Sequence, residues 1–176
     1  MAAAGTCAPA SPKGLTVLKS FSNGMAASTW NDWYVRGSLG ATGTVPYSGS
    51  LYSSPDIIPN KGSVEADPQS KWGSGDSYAQ DADQQVLNNA PNYIYVRAKN
   101  MGAGGKTAKI SLYAAPNNLI NWPNLWTELK TSDGAIEVEV TGEHDAIVVA
   151  KDPFYWVAPS PPSGASHFCL IMRVST

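Results

Sequence analysis

The run Asn92-Tyr93-Ile94-Tyr95-Val96-Arg97-Ala98-Lys99-Asn100 constrains this chain more than any other, because β-branched and aromatic residues alternate there with polar ones. Side chains on a strand point alternately to its two faces, so Ile94, Val96 and Ala98 share one face while Tyr93, Tyr95, Arg97 and Lys99 share the other. The first set predicts a core face and the second a wetter one. Gly102, Gly104 and Gly105 follow, and clustered glycines supply the positive φ values that a chain reversal needs. The next alternating run, Lys109-Ile110-Ser111-Leu112-Tyr113, is therefore predicted as the pairing partner of the first.

Other segments have the same character. Residues 15–21 alternate up to the turn dipeptide Asn23-Gly24 and are predicted as an edge strand. Trp33-Tyr34-Val35-Arg36 is predicted as a strand that leads into a long glycine-punctuated loop ending near Ser50. Ile57-Ile58, set between Pro55 and Pro59, suits a sheet edge. Residues 60–92 are mostly polar, anchored by Trp72, Tyr78, Val86 and Leu87, and are predicted as a loop of a length that often has a function. Residues 118–126 place Trp122 and Trp126 either side of Pro123, and are predicted to plug one end of the core. Residues 136–140 alternate strictly, and residues 146–150 and 168–174 are apolar runs predicted as central strands.

No window sustains apolar residues at helical spacing with a cap and a stop. Short strands with many turns also fit 16 glycines and 13 prolines spread between the apolar runs. The fold class predicted is all-β, an antiparallel β-sandwich with long loops. A chain of 176 residues suffices for one core, so residues 1–23 are predicted as a flexible leader or exchangeable edge strand and residues 24–176 as a single domain. A net charge of −2 without a cluster of Lys or Arg argues against nucleic acid or an anionic membrane as partner. The start is rich in Ala, Pro and Ser and has neither a basic nor an apolar signal region, so no secretory signal is predicted. No run approaches the ~20 apolar residues that span a bilayer.

Several of these blocks, taken together, resemble a known family. They are Ser54-Pro55-Asp56-Ile57-Ile58-Pro59, the run from Asn92 to Asn100 with Gly102, Trp122-Pro123 with Trp126, and His167-Phe168-Cys169-Leu170 with Arg173-Val174. In that order they are similar to the bacterial immunoglobulin-like domains grouped as CARDB-like, over about residues 33–174. The resemblance implies an immunoglobulin-like sandwich and an adhesion or binding module. It implies structural roles for the blocks and no catalytic residue.

Chemistry-bearing residues are sparse. Cys7 and Cys169 can pair if the termini meet, although a cysteine inside an apolar run is more commonly a buried inert thiol. His144 sits in a polar turn beside Asp145 and His167 precedes Phe168, and no Gly-x-Ser-x-Gly elbow exposes a nucleophile. Two histidines and two distant cysteines give no zinc spacing. Asp76, Asp81 and Asp83 are close in sequence but lack the calcium-loop pattern, so neither metal nor cofactor is expected. The residues with most to offer a ligand are Trp72, Tyr78, Trp122, Trp126 and Trp156 in or near predicted loops, since exposed aromatics stack on sugar rings. Filling the ends of the sandwich is their other use.

The combined expectation is a non-enzymatic binding or assembly module of a bacterial extracellular or secreted complex. A protein partner or self-association is expected, and export would use a route without a classical signal, the cytoplasm being the other location. A carbohydrate-binding module is the alternative, and a component of a secreted toxin the second.

Overall fold

The computed structural model describes residues 2–6, 27–82 and 85–176. The predicted strand at residues 15–21, together with Cys7 and Asp83, lies outside the described residues. In chain order the elements are β1 (Ala2–Thr6), β2 (Ser28–Thr29), β3 (Trp33–Tyr34), β4 (Thr44–Val45), β5 (Ile57–Lys61), α1 (Pro68–Trp72), α2 (Gly75–Tyr78), β6 (Pro91–Asn100) and β7 (Lys106–Pro116). A 3-10 turn at Pro123–Leu125 is followed by β8 (Thr127–Glu128), β9 (Lys130–Thr131), β10 (Val138–Gly142), β11 (Ile147–Val149), β12 (Phe154–Val157) and β13 (Phe168–Ser175). The chain is all-β, with antiparallel pairing throughout the described sheets.

The first sheet runs β1-β13-β7-β10, with β8 on the far half of β7. The second is built on β6, which pairs along one side with β3 and β5 and along the other with β11 and β12, and β9 adds to β12. β2 and β4 form a small separate ribbon. Ile94, Val96 and Ala98 of β6 share one buried cluster with Ile110, Leu112 and Ala114 of β7 and with Leu170, Met172 and Val174 of β13. The inward faces of the two sheets thus make a single core, as a sandwich requires.

Three expectations are corrected. β6 and β7 are not paired, because the chain crosses between sheets at residues 101–105. Asn100 holds this crossing, donating from Nδ2 to the carbonyls of Gly104 and Gly142 (both 2.9 Å) and accepting from the Gly102 amide at 2.9 Å. Gly102 is required there, since a Cβ would lie 2.6 Å from the Asn31 carbonyl oxygen. Secondly, the other face of β6 is wetter only at its two ends, where Tyr93 and Lys99 are half-buried. Residues 60–82 fold over it as α1 and α2, so Tyr95 and Arg97 are buried as completely as the core face, and Tyr95 packs on Trp72 with ring centroids 5.0 Å apart. Thirdly, residues 146–150 form no central strand, because among the described residues β11 has β6 as its one sheet neighbour; β13, between β1 and β7, is central as expected.

Residues 127–131 pass from one sheet to the other. β8 pairs with β7, β9 pairs with β12, and the intervening Leu129 is buried with its amide on the Leu112 carbonyl at 2.9 Å. Cys169 is buried, as expected, but it is disulfide-bonded and not a free thiol.

Candidate functional site

A cleft of about 450 Å³ opens at the Pro91 end of β6. One wall comes from alternation on β12. Phe154 is buried and Trp156 half-buried, while Tyr155 and Val157 on the opposite face are exposed. Trp156 stands edge-on to Phe168 at the start of β13, with centroids 5.2 Å apart and planes at 89°. Ile57 and Pro59 of β5 extend this apolar wall. The segment around Gln85, Val86 and Asn88 forms a rim of the same cleft, which Asp81 also lines.

Asn92 fixes the rim against the wall. Its side chain accepts from the Leu87 amide (2.7 Å) and donates to the carbonyls of Leu87 (2.9 Å), Ala90 (2.9 Å) and Trp156 (3.1 Å). Asn89, at a φ of 54°, donates its amide to the Ala158 carbonyl at 2.7 Å. A buried polar side chain whose bonds are all made is a rigid brace.

Among the described residues the lining has no Lys or Arg, and its carboxylate is Asp81, which is engaged with another group. Gln85 and Asn88 are exposed, and their side-chain amides make no hydrogen bond to a described residue. His167 also lines the cleft; its Nδ1 meets Ser166 Oγ at 2.9 Å, whereas Nε2 is enclosed without a partner. The Ser166 and His167 amides, at 3.0 and 3.4 Å, both donate to Asn117 Oδ1. They are therefore committed, and do not serve as donors to an oxyanion beside Ser166.

On the outer side of β6 lies a buried charged cluster. Arg36 donates from Nε (3.0 Å) and Nη2 (2.6 Å) to the two oxygens of Asp56, and Arg97 Nε donates to Asp56 Oδ1 at 2.9 Å. The remaining guanidinium nitrogens, Arg36 Nη1 and Arg97 Nη1 and Nη2, donate to the carbonyls of Tyr78, of Trp72 and Ser77, and of Pro55. The Tyr78 ring lies 3.4 Å from the Arg36 guanidinium carbon. Burial, reinforced by the Asp56 charge, pushes the Tyr78 hydroxyl far above its ordinary pKa, so it stays neutral. Each guanidinium nitrogen of this cluster has an acceptor within the fold, which makes it a brace between residues 72–78 and β6.

The five aromatic candidates are thus dispersed. Trp156 lines the cleft. Trp72 is buried against Tyr95 and Tyr78 covers the arginines. Residues 118–126 do not plug the core, because Trp122 is 59% exposed and Trp126 packs on the outward ring of Tyr113 at 5.9 Å. His144 is exposed, with Nδ1 on the Gly102 carbonyl at 2.9 Å. Among the described residues no three His, Cys, Asp or Glu side chains gather into a metal-binding group. Among the cleft residues that sequence reasoning missed are Gln85, Asn88 and Phe168. The signal for β12, Phe-Tyr-Trp-Val between Pro153 and Pro159, was present in the chain.

A second feature is the edge of the first sheet. β13 has eight residues, and β1 meets its outer side from Ala2 opposite Val174 to Thr6 opposite Leu170. No helix among the described residues is long and apolar enough to cross a membrane. No family model, curated protein or solved structure matches the chain.

Proposed function

We propose that the chain is a non-enzymatic binding or assembly module, an immunoglobulin-like sandwich of a bacterial extracellular or secreted complex that joins a protein partner or another copy of itself. The observation that carries this reading is the β1–β13 edge. β1 is Ala-Ala-Ala-Gly-Thr, five residues with no side chain larger than threonine. A strand of that composition carries little apolar side-chain area, at ~25 cal/mol per Å² buried, and it pairs with β13 over five residues. An incoming strand with larger side chains makes the same ladder and buries more, which is the logic of strand addition at a sheet edge. The committed amides beside Ser166 also support a non-enzymatic reading.

The test is size-exclusion chromatography with light scattering on the full chain over a range of concentrations, with and without reductant, beside a variant lacking residues 1–23. Removal of β1 uncovers the β13 edge, so the expected result is a changed oligomeric state or altered partner binding in a chain that keeps its β-type circular dichroism. Identical self-association and partner binding in the two chains would remove the edge from consideration.

A further inference from the structure

We propose that the cleft beside Trp156 binds a neutral carbohydrate, taking the end or a short branch of an uncharged glycan. The chemistry of its two sides supports this occupant. The wall made by Trp156 and Phe168 is aromatic and partly open, suited to the C–H face of a sugar ring. The same lining includes the uncommitted amides of Gln85 and Asn88. Each amide carries both donor and acceptor atoms, and so matches a sugar hydroxyl, which also does both.

Charge narrows the class. Among the described residues the lining offers no Lys or Arg to hold a phosphate, sulfate or carboxylate, so anionic ligands find no counter-charge there. A peptide strand is read by free backbone groups at a sheet edge, whereas the walls here are side chains. The volume of about 450 Å³ falls within the ~300–1,000 Å³ of small-ligand sites. The brace from Asn92 holds wall and rim at a fixed separation, which limits the ordering needed on binding.

The experiment is isothermal titration of the full chain, with tryptophan fluorescence as a second readout, against neutral oligosaccharides of β-1,4-glucan, xylan, mannan and chitin type. Sialyllactose and a heparin oligosaccharide serve as anionic controls. At least one neutral oligosaccharide is expected to bind and to shift the emission. The double variant Gln85→Ala/Asn88→Ala, both positions being exposed, should keep the parent's unfolding midpoint and lose affinity by about tenfold or more. Trp122→Ala, outside the cleft, should bind as the parent does. The proposal is overturned if no neutral oligosaccharide binds at up to about 10 mM, if binding is confined to the anionic controls, or if the double variant keeps full affinity. It rests on the cleft alone, so its outcome is independent of the β13 edge.

Discussion

Asp56 holds two guanidinium groups with one carboxylate, and Arg36, Asp56 and Arg97 are 3%, 0% and 1% exposed. Desolvation lowers the pKa of Arg97, and the Asp56 charge works against that shift. Removing the carboxylate leaves two buried cations facing each other, a situation that typically costs about 3–5 kcal/mol. Asp56→Ala is accordingly expected to lower the urea midpoint sharply. Trp72 should become more accessible to acrylamide, because Arg97 Nη1 bonds the Trp72 carbonyl. A cost below about 1 kcal/mol, the size of an exposed pair, would show that the cluster is not the brace described. The period-two pattern of β6 placed Arg97 correctly opposite Ile94 and Val96. What it could not reveal is that the matching carboxylate lies 41 positions earlier, in a segment legible only as an edge strand.

At the scale of elements, strands with a clean period were legible and short elements were not. β6, β7, β10 and β13 follow from alternation or apolar runs. α1 and α2 have five and four residues, too few to show a helical period. Their caps were nonetheless written in the chain: Asp67 accepts from the Ser70 amide ahead of Pro68, and Ser74 accepts from the Ser77 amide. Pairing partners were less legible, since alternation places a strand in a layer and does not say which layer. One tie between the layers gives a prediction. Asp32, next to β3, accepts from the Trp33 amide (2.9 Å), from Lys106 Nζ of β7 (3.1 Å) and from Thr176 Oγ1 (3.3 Å). Burial by itself raises its pKa, but these donors and the Lys106 charge outweigh it, and the folded-state value lies below 3.8. A depressed carboxylate stabilises the fold above its unfolded pKa, and that contribution disappears as pH falls through the folded value. The melting temperature should therefore hold to about pH 4 and drop below it. Asp32→Asn should lower the plateau and make the acid decline shallower, as read by circular dichroism melts across pH. An unchanged acid slope would exclude Asp32 as a contributor.

Across the whole molecule, the two ends of β6 are braced alike and differ in use. Asn92 and Asn100 are both fully buried, each with its amide bonds made, and they stand roughly 26 Å apart at the rise of a strand. Asn100 holds the crossing between the sheets, whereas Asn92 ties the rim of the cleft to β12. Truncating either leaves buried backbone groups unpaired, at about 1–3 kcal/mol. Asn92→Ala and Asn100→Ala should thus destabilise the chain by similar amounts in urea. Hydrogen exchange should separate them, because each side chain ties down backbone groups only at its own end of the strand. Asn92→Ala is expected to speed exchange at residues 87–90 and 156–158, and Asn100→Ala at residues 102–105 and 142–146, each leaving the other end protected. If the cleft binds saccharide, Asn92→Ala weakens that binding and Asn100→Ala spares it at equal loss of stability, so stability and site geometry can be told apart. Equal acceleration at both ends in either variant would mean that the sandwich opens as one unit, and that the cleft has no brace of its own.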